Sequence, residues 1–106
     1  MNTEKISFEM ISNAGQARNI IYDAFDLIRD REYQEAEDRI KQAEALILKA
    51  HEFHVNMVSE EAKGNKVPID LLLVHAMNIL LVAESERDMS KKIMEIDMKR
   101  FSDKKE

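Results

Sequence analysis

Between Glu4 and about Asp30, apolar residues fall at Met10, Ile11, Ala14, Ala17, Ile20, Ile21, Ala24, Phe25 and Ile28. Steps of three and four put them on one face of an amphipathic helix. Gly15 lies inside this pattern, where glycine costs about 1 kcal/mol of helix stability relative to alanine. A glycine kept there predicts close approach of a neighbouring helix. The polar stretch "RDREYQ" breaks the pattern. A second helix is expected from about Tyr33 to Lys63, with Ala36, Ile40, Ala43, Ile47, Ala50, His54, Met57 and Val58 as its inner stripe. Charged residues face outward, with pairs such as Glu37–Lys41 four apart.

"KGNKVP" ends the second helix. Gly64 suits the left-handed cap, and Pro68 suits the first turn of a third helix. Asp70 in that turn would complement the helix dipole. The third helix is expected from about Pro68 to Phe101, leaving 102–106 as a frayed tail. Both connections are short, so consecutive helices should be antiparallel neighbours. The expected fold is all-α, a single domain over 1–106 built as an antiparallel three-helix bundle.

The third helix differs from the other two. Residues 69–83 are apolar all round, apart from Asp70, His75 and Asn78. A helix of that kind is buried on every side. Two partner helices cannot cover it, so its remaining surface calls for another subunit. Leu71, Val74, Asn78, Leu81 and Ser85 also fit a heptad seam, on which a lone polar residue such as Asn78 commonly fixes register and oligomer state. His75 lies beside that seam.

Composition narrows the function classes. The chain has 106 residues, two glycines and one proline, so its elements must be few and long. A net charge of -5 argues against a nucleic-acid partner. With no cysteine, disulfides, zinc–thiolate sites and cysteine nucleophiles are excluded. The N-terminal "MNTEKISFEM" lacks the pattern of a signal peptide. The run at 69–83 is shorter than the roughly 20 apolar residues that cross a bilayer. A cytoplasmic protein with no membrane insertion is expected.

Few side chains offer chemistry. His51 and His54, in "AHEFH", are three apart rather than four, and no third metal ligand is evident. The seven methionines fit flexible core filler. No glycine-rich loop cradles a nucleotide. By spacing alone His75 stays open between a hydrogen-bonded bundle histidine and a nucleophile.

Three stretches carry a resemblance. "VPIDLLLVHAMNILLVAE" resembles the active-site helix of the IIA component of the lactose/cellobiose class of the bacterial phosphoenolpyruvate-dependent sugar phosphotransferase system. That family carries L-L-L-V-H-A-x-D-H-L. "FEMISNAGQARNIIYDAF" is similar to the family's first helix, with its H-A-G-N-A-R core, and "EAEDRIKQAEALILKAHEFHVNMVSEEAKG" to its second. The resemblance runs in order from about Ser7 to Phe101. It implies that three-helix protomers assemble as a homotrimer, a nine-helix bundle. It also implies that His75 accepts a phosphoryl group from the phosphocarrier protein HPr and passes it to a cysteine of the IIB component. The absence of cysteine and of a membrane span fits neither IIB nor the IIC channel. A neutral imidazole, with an ordinary pKa of about 6.5, is a competent nucleophile for that step. Leu72, Ile79 and a neighbouring subunit would limit attack by water.

Three positions depart from the family pattern. After the histidine the family has Gln, Asp and His, and here Met77, Asn78 and Ile79 stand at those places. The family aspartate lies on the trimer axis, where three copies share a metal ion or protons. Asn78 is uncharged, and three carboxamides can bond to one another or to water without a cation. No metal and no cofactor are therefore expected, with Leu71, Val74, Asn78 and Leu81 along the axis. The same departures sustain an alternative, a non-catalytic trimeric helical adaptor or regulator derived from the family.

Overall fold

The computed structural model describes residues 2–104. Three helices follow one another: α1 (Thr3–Arg29), α2 (Tyr33–Ala62) and α3 (Leu71–Lys104). They lie side by side in a bundle of 61 × 21 × 19 Å. Cross-links fix their directions. Lys91 pairs with Glu44, and two turns further along α2 His51 meets Glu84, two turns back along α3. That order makes α2 and α3 antiparallel. On the other side Arg18 meets Glu86 and, further along α3, Phe101 meets Arg31, which lies just past the end of α1. Hence α1 and α3 run parallel, as an up-down-up bundle requires.

The periodic stripes form the core. Met10, Ala14, Ala17, Ile21, Ala24 and Ile28 of α1 are buried, as are Ala36, Ile40, Ala43, Ile47, Ala50 and Met57 of α2. Leu73, Ala76, Leu80 and Ala83 complete it from α3. Alanines recur at every level, which lets the backbones approach closely. Small polar residues share these faces with their groups satisfied locally. Ser90 donates to the Arg87 carbonyl and Asn13 to the Glu9 carbonyl. His54 is half-buried, while Val58, expected inside, is exposed.

Three helix ends follow from identifiable caps. Asn2 accepts from the Lys5 N–H at the start of α1. Gly64 ends α2 with φ +93°, the left-handed conformation expected of it. The α3 start differs from expectation. The helix begins at Leu71, three residues after Pro68, because Asp70 is its N-cap. The Asp70 carboxylate accepts from the Leu73 N–H at 2.9 Å, and its carbonyl accepts from Val74. Asp70 thus stands one place outside the first turn, satisfying an N–H that the helix leaves open.

Two further expectations are corrected. The helix continues through 102–104, part of the expected frayed tail; 105–106 lie outside the described residues. Its last turns are pinned where the Arg31 guanidinium lies 4.3 Å from the Phe101 ring centroid. Gly15 makes no close helix contact within the protomer, and a Cβ built there would meet nothing within 4 Å.

One face of α3 stays uncovered. Leu71 is 84% exposed, Leu81 66% and Val74 40%. Val82, Met89, Ile93 and Ile96 continue the exposed apolar surface along the helix. Two partner helices do leave this helix half bare.

Candidate functional site

The Asp70 cap fixes where α3 starts and so which face each of its residues presents. Leu73, Ala76, Leu80 and Ala83 take the inward positions. His75, one residue before Ala76, is exposed. It opens into a groove between α1 and α3 of about 400 Å³, lined by Ile11, Gly15, Arg18, Asn19, Tyr22, His75, Ile79 and Glu86. Leu72 and Ile79, the expected apolar neighbours of His75, are half-buried.

The groove carries one short polar contact. Arg18 Nε donates to Glu86 Oε1 at 2.6 Å. The Glu86 carboxylate raises the Arg18 guanidinium further above its already high pKa. Sequence reading does not single out this pair, because the partners lie on different helices and no periodicity connects them. Arg18 does fall in "NAGQAR", within the stretch similar to the family's first helix, and that was the available signal. Gly15 comes from the same stretch and lines the same groove, which gives its open flank a place in the site.

Leu71, Val74, Asn78 and Leu81 share the uncovered side of α3, all exposed. His51 and His54 stand on α2, away from the groove. Their ring centroids are 6.4 Å apart, and His51 Nδ1 lies 3.7 Å from Glu84. Among the described residues, no three His, Asp or Glu side chains of one protomer converge as a metal-binding group. No described helix is long and apolar enough to cross a membrane.

The three-helix bundle matches a known class of protein. Residues 5–98 match the family described as PTS system, Lactose/Cellobiose specific IIA subunit. The chain is 28% identical to the lactose-specific EIIA component of Staphylococcus epidermidis, over 91% of this chain and 95% of that protein. It is 30% identical to the lichenan-specific phosphotransferase enzyme IIA component of Bacillus subtilis, over 88% of this chain and 84% of that protein. Among solved structures, the cellobiose-specific enzyme IIA of Bacillus anthracis superposes with a TM-score of 0.90 at 27% identity. That superposition covers 96% of this chain and 94% of the other. PtcA from S. mutans superposes with a TM-score of 0.88 at 34% identity, over 92% and 99%. The chain belongs to the lactose/cellobiose-specific IIA family of the sugar phosphotransferase system.

Proposed function

We propose that this chain is a cytoplasmic phosphocarrier, taking a phosphoryl group from phospho-HPr onto His75 and passing it to the cysteine of a cognate IIB component. The transfer serves uptake of a β-linked disaccharide such as cellobiose or lactose. One observation carries this reading: His75 is exposed in a groove, beside Ala76, which is buried in the core. A lone pair on a His75 ring nitrogen forms the new N–P bond. The donor's N–P bond breaks and its electron pair returns to the donor imidazole, each ring keeping its other N–H. On delivery to IIB, the thiolate attacks phosphorus and the His75 N–P pair returns to the ring. Such transfers depend on in-line positioning and electrostatics more than on acid–base groups.

The reading extends to a homotrimer centred on α3. Its support is the apolar surface from Leu71 through Leu81 that one protomer leaves exposed. Asn78 then falls among the seam residues. A carboxamide is a poor substitute for a carboxylate toward a hard cation, and three of them bring no negative charge to balance one. The donor set does not fit an axial metal, so the trimer is proposed to form without one.

Incubation with phosphoenolpyruvate, enzyme I and HPr tests the carrier role. Acid-labile phosphate should appear on the wild type and be absent from His75→Ala, with helical content unchanged. Met77, Asn78 and Ile79 favour a second reading, a trimeric adaptor that is never phosphorylated. An unlabelled wild-type protein would select it.

A further inference from the structure

We infer that Arg18 is the cation that receives the phosphoryl group on His75, and that Glu86 holds Arg18 until that group arrives. The inference deepens, and rests on, the phosphorylation of His75 proposed above.

Among the described residues, Arg18 is the only lysine or arginine lining the groove that His75 opens into. It meets Glu86 through Nε alone. Its terminal nitrogens make no other hydrogen bond to the described residues, so the planar fork suited to two phosphate oxygens is available. The pair is only partly shielded, with side-chain exposures of 40% and 34%. Ion pairs this accessible to water are weak and break readily. A phosphoryl dianion offers three acceptor oxygens and more charge than the carboxylate, and so competes well for the guanidinium.

The groove has room for the exchange. Gly15 forms part of its wall, and space for a methyl group is open there. Glu86 lies three turns beyond His75, about 16 Å along the α3 axis by helical rise. Helical side chains lean toward their N-terminus, which brings the Glu86 carboxylate back along the groove in the direction of His75. A swing of the long arginine side chain then carries its fork from one anion toward the other. Glu86 keeps a cation in the groove that His75 opens into while preventing its capture by passing anions.

Opposed effects of two variants test this. A merely structural ion pair is lost equally in Arg18→Gln and Glu86→Gln, and both variants would behave alike. An exchangeable clamp predicts opposite behaviour. The proteins are phosphorylated with phosphoramidate, which needs no protein partner, and the His75 phosphoryl signal is titrated by 31P NMR. A nearby cation favours the dianion, so the second protonation midpoint should rise in Arg18→Gln and fall in Glu86→Gln, each by about half a pH unit, or roughly threefold in proton affinity. In exchange with phospho-HPr, Arg18→Gln should shift the equilibrium toward phospho-HPr by about fivefold, as expected for loss of a partly solvated charge-assisted contact. Glu86→Gln should shift it the other way. Midpoints that move together, or not at all, overturn the inference, as does a His75 that phosphoramidate leaves unlabelled. Opposed midpoints in a protein that phospho-HPr does not label would uphold the Arg18 clamp and reject the carrier role.

Discussion

Leu81→Lys probes how the bare side of α3 is covered. Leu81 is 66% exposed in the protomer. Complete burial of a leucine side chain is worth about 1.5–3 kcal/mol, so the two-thirds still to be gained amounts to about 1–2 kcal/mol per subunit. Three subunits meeting at one seam would then gain about 3–6 kcal/mol from this residue. Lysine forfeits that gain and places like charges together in a poorly hydrated seam, at several kcal/mol more. At 1.4 kcal/mol per factor of ten, trimerisation should weaken by at least about 10²- to 10⁴-fold. Sedimentation velocity at micromolar concentration should show the wild type as a trimer and Leu81→Lys as a monomer. Gln42→Lys is the control. Its position is exposed on α2, about half a helical turn from Glu44, which faces α3, and it should leave the trimer intact. A wild-type protein that sediments as a stable monomer would refute the packing argument, as would a Leu81→Lys protein that remains trimeric.

Other substitutions test separate links. Asn78→Asp should create a metal and pH dependence that is not expected of the wild type. Burial and mutual repulsion raise the pKa of clustered carboxylates, so the mutant trimer should be stable below that raised pKa and weaken as pH rises through it, with rescue by a divalent cation. Melts with and without EDTA over about pH 5–8 read this, and a wild-type melt that drops on chelation would contradict it. Gly15→Ala should raise the melting point, by up to about 1 kcal/mol in stability, because the methyl group meets open space in the protomer; a marked loss of stability would mean that another chain packs there. Asp70→Ala should cost about 1 kcal/mol in denaturant melts through loss of the α3 cap, and no change would demote that contact. Tyr33 is held above its ordinary value of 10.0 by loss of hydration and then by its bond to Asp97. Its stabilising contribution is present below its unfolded pKa and lost as pH rises through the higher folded one. Tyr33→Phe should therefore flatten the alkaline decline in melting point, and identical alkaline profiles would remove Tyr33 from the account.

Much of the fold is legible because helical period speaks locally. The buried stripes of α1 and α2 stand in the chain as steps of three and four, and Gly64 marks a stop that only its φ of +93° explains. Features that join distant residues leave no such trace. Pro68 suggests a helix start, yet the start belongs to Asp70, whose side chain can reach the Leu73 N–H. Gly15 has one sequence signature for two opposite roles, a packed interface or an open wall, and only its neighbours separate them. The Arg31–Phe101 contact near the end of α3 joins the turn between α1 and α2 to a residue far along the chain. His75 stands out in sequence through family resemblance rather than through spacing. Arg18 and Glu86, which share its groove, become visible only when α1 and α3 are laid side by side.

The role of His75 is tested most directly by finding where the phosphoryl group lands. The wild-type protein, charged by phosphoenolpyruvate, enzyme I and HPr, is digested at neutral to alkaline pH, where phosphohistidine survives, and its peptides are mapped by mass spectrometry. The account predicts phosphate on the peptide containing His75, none on the peptide containing His51 and His54, and loss of the label when a IIB component with a free thiolate is added. Phosphate on His51 or His54, or full labelling of His75→Ala, would contradict it.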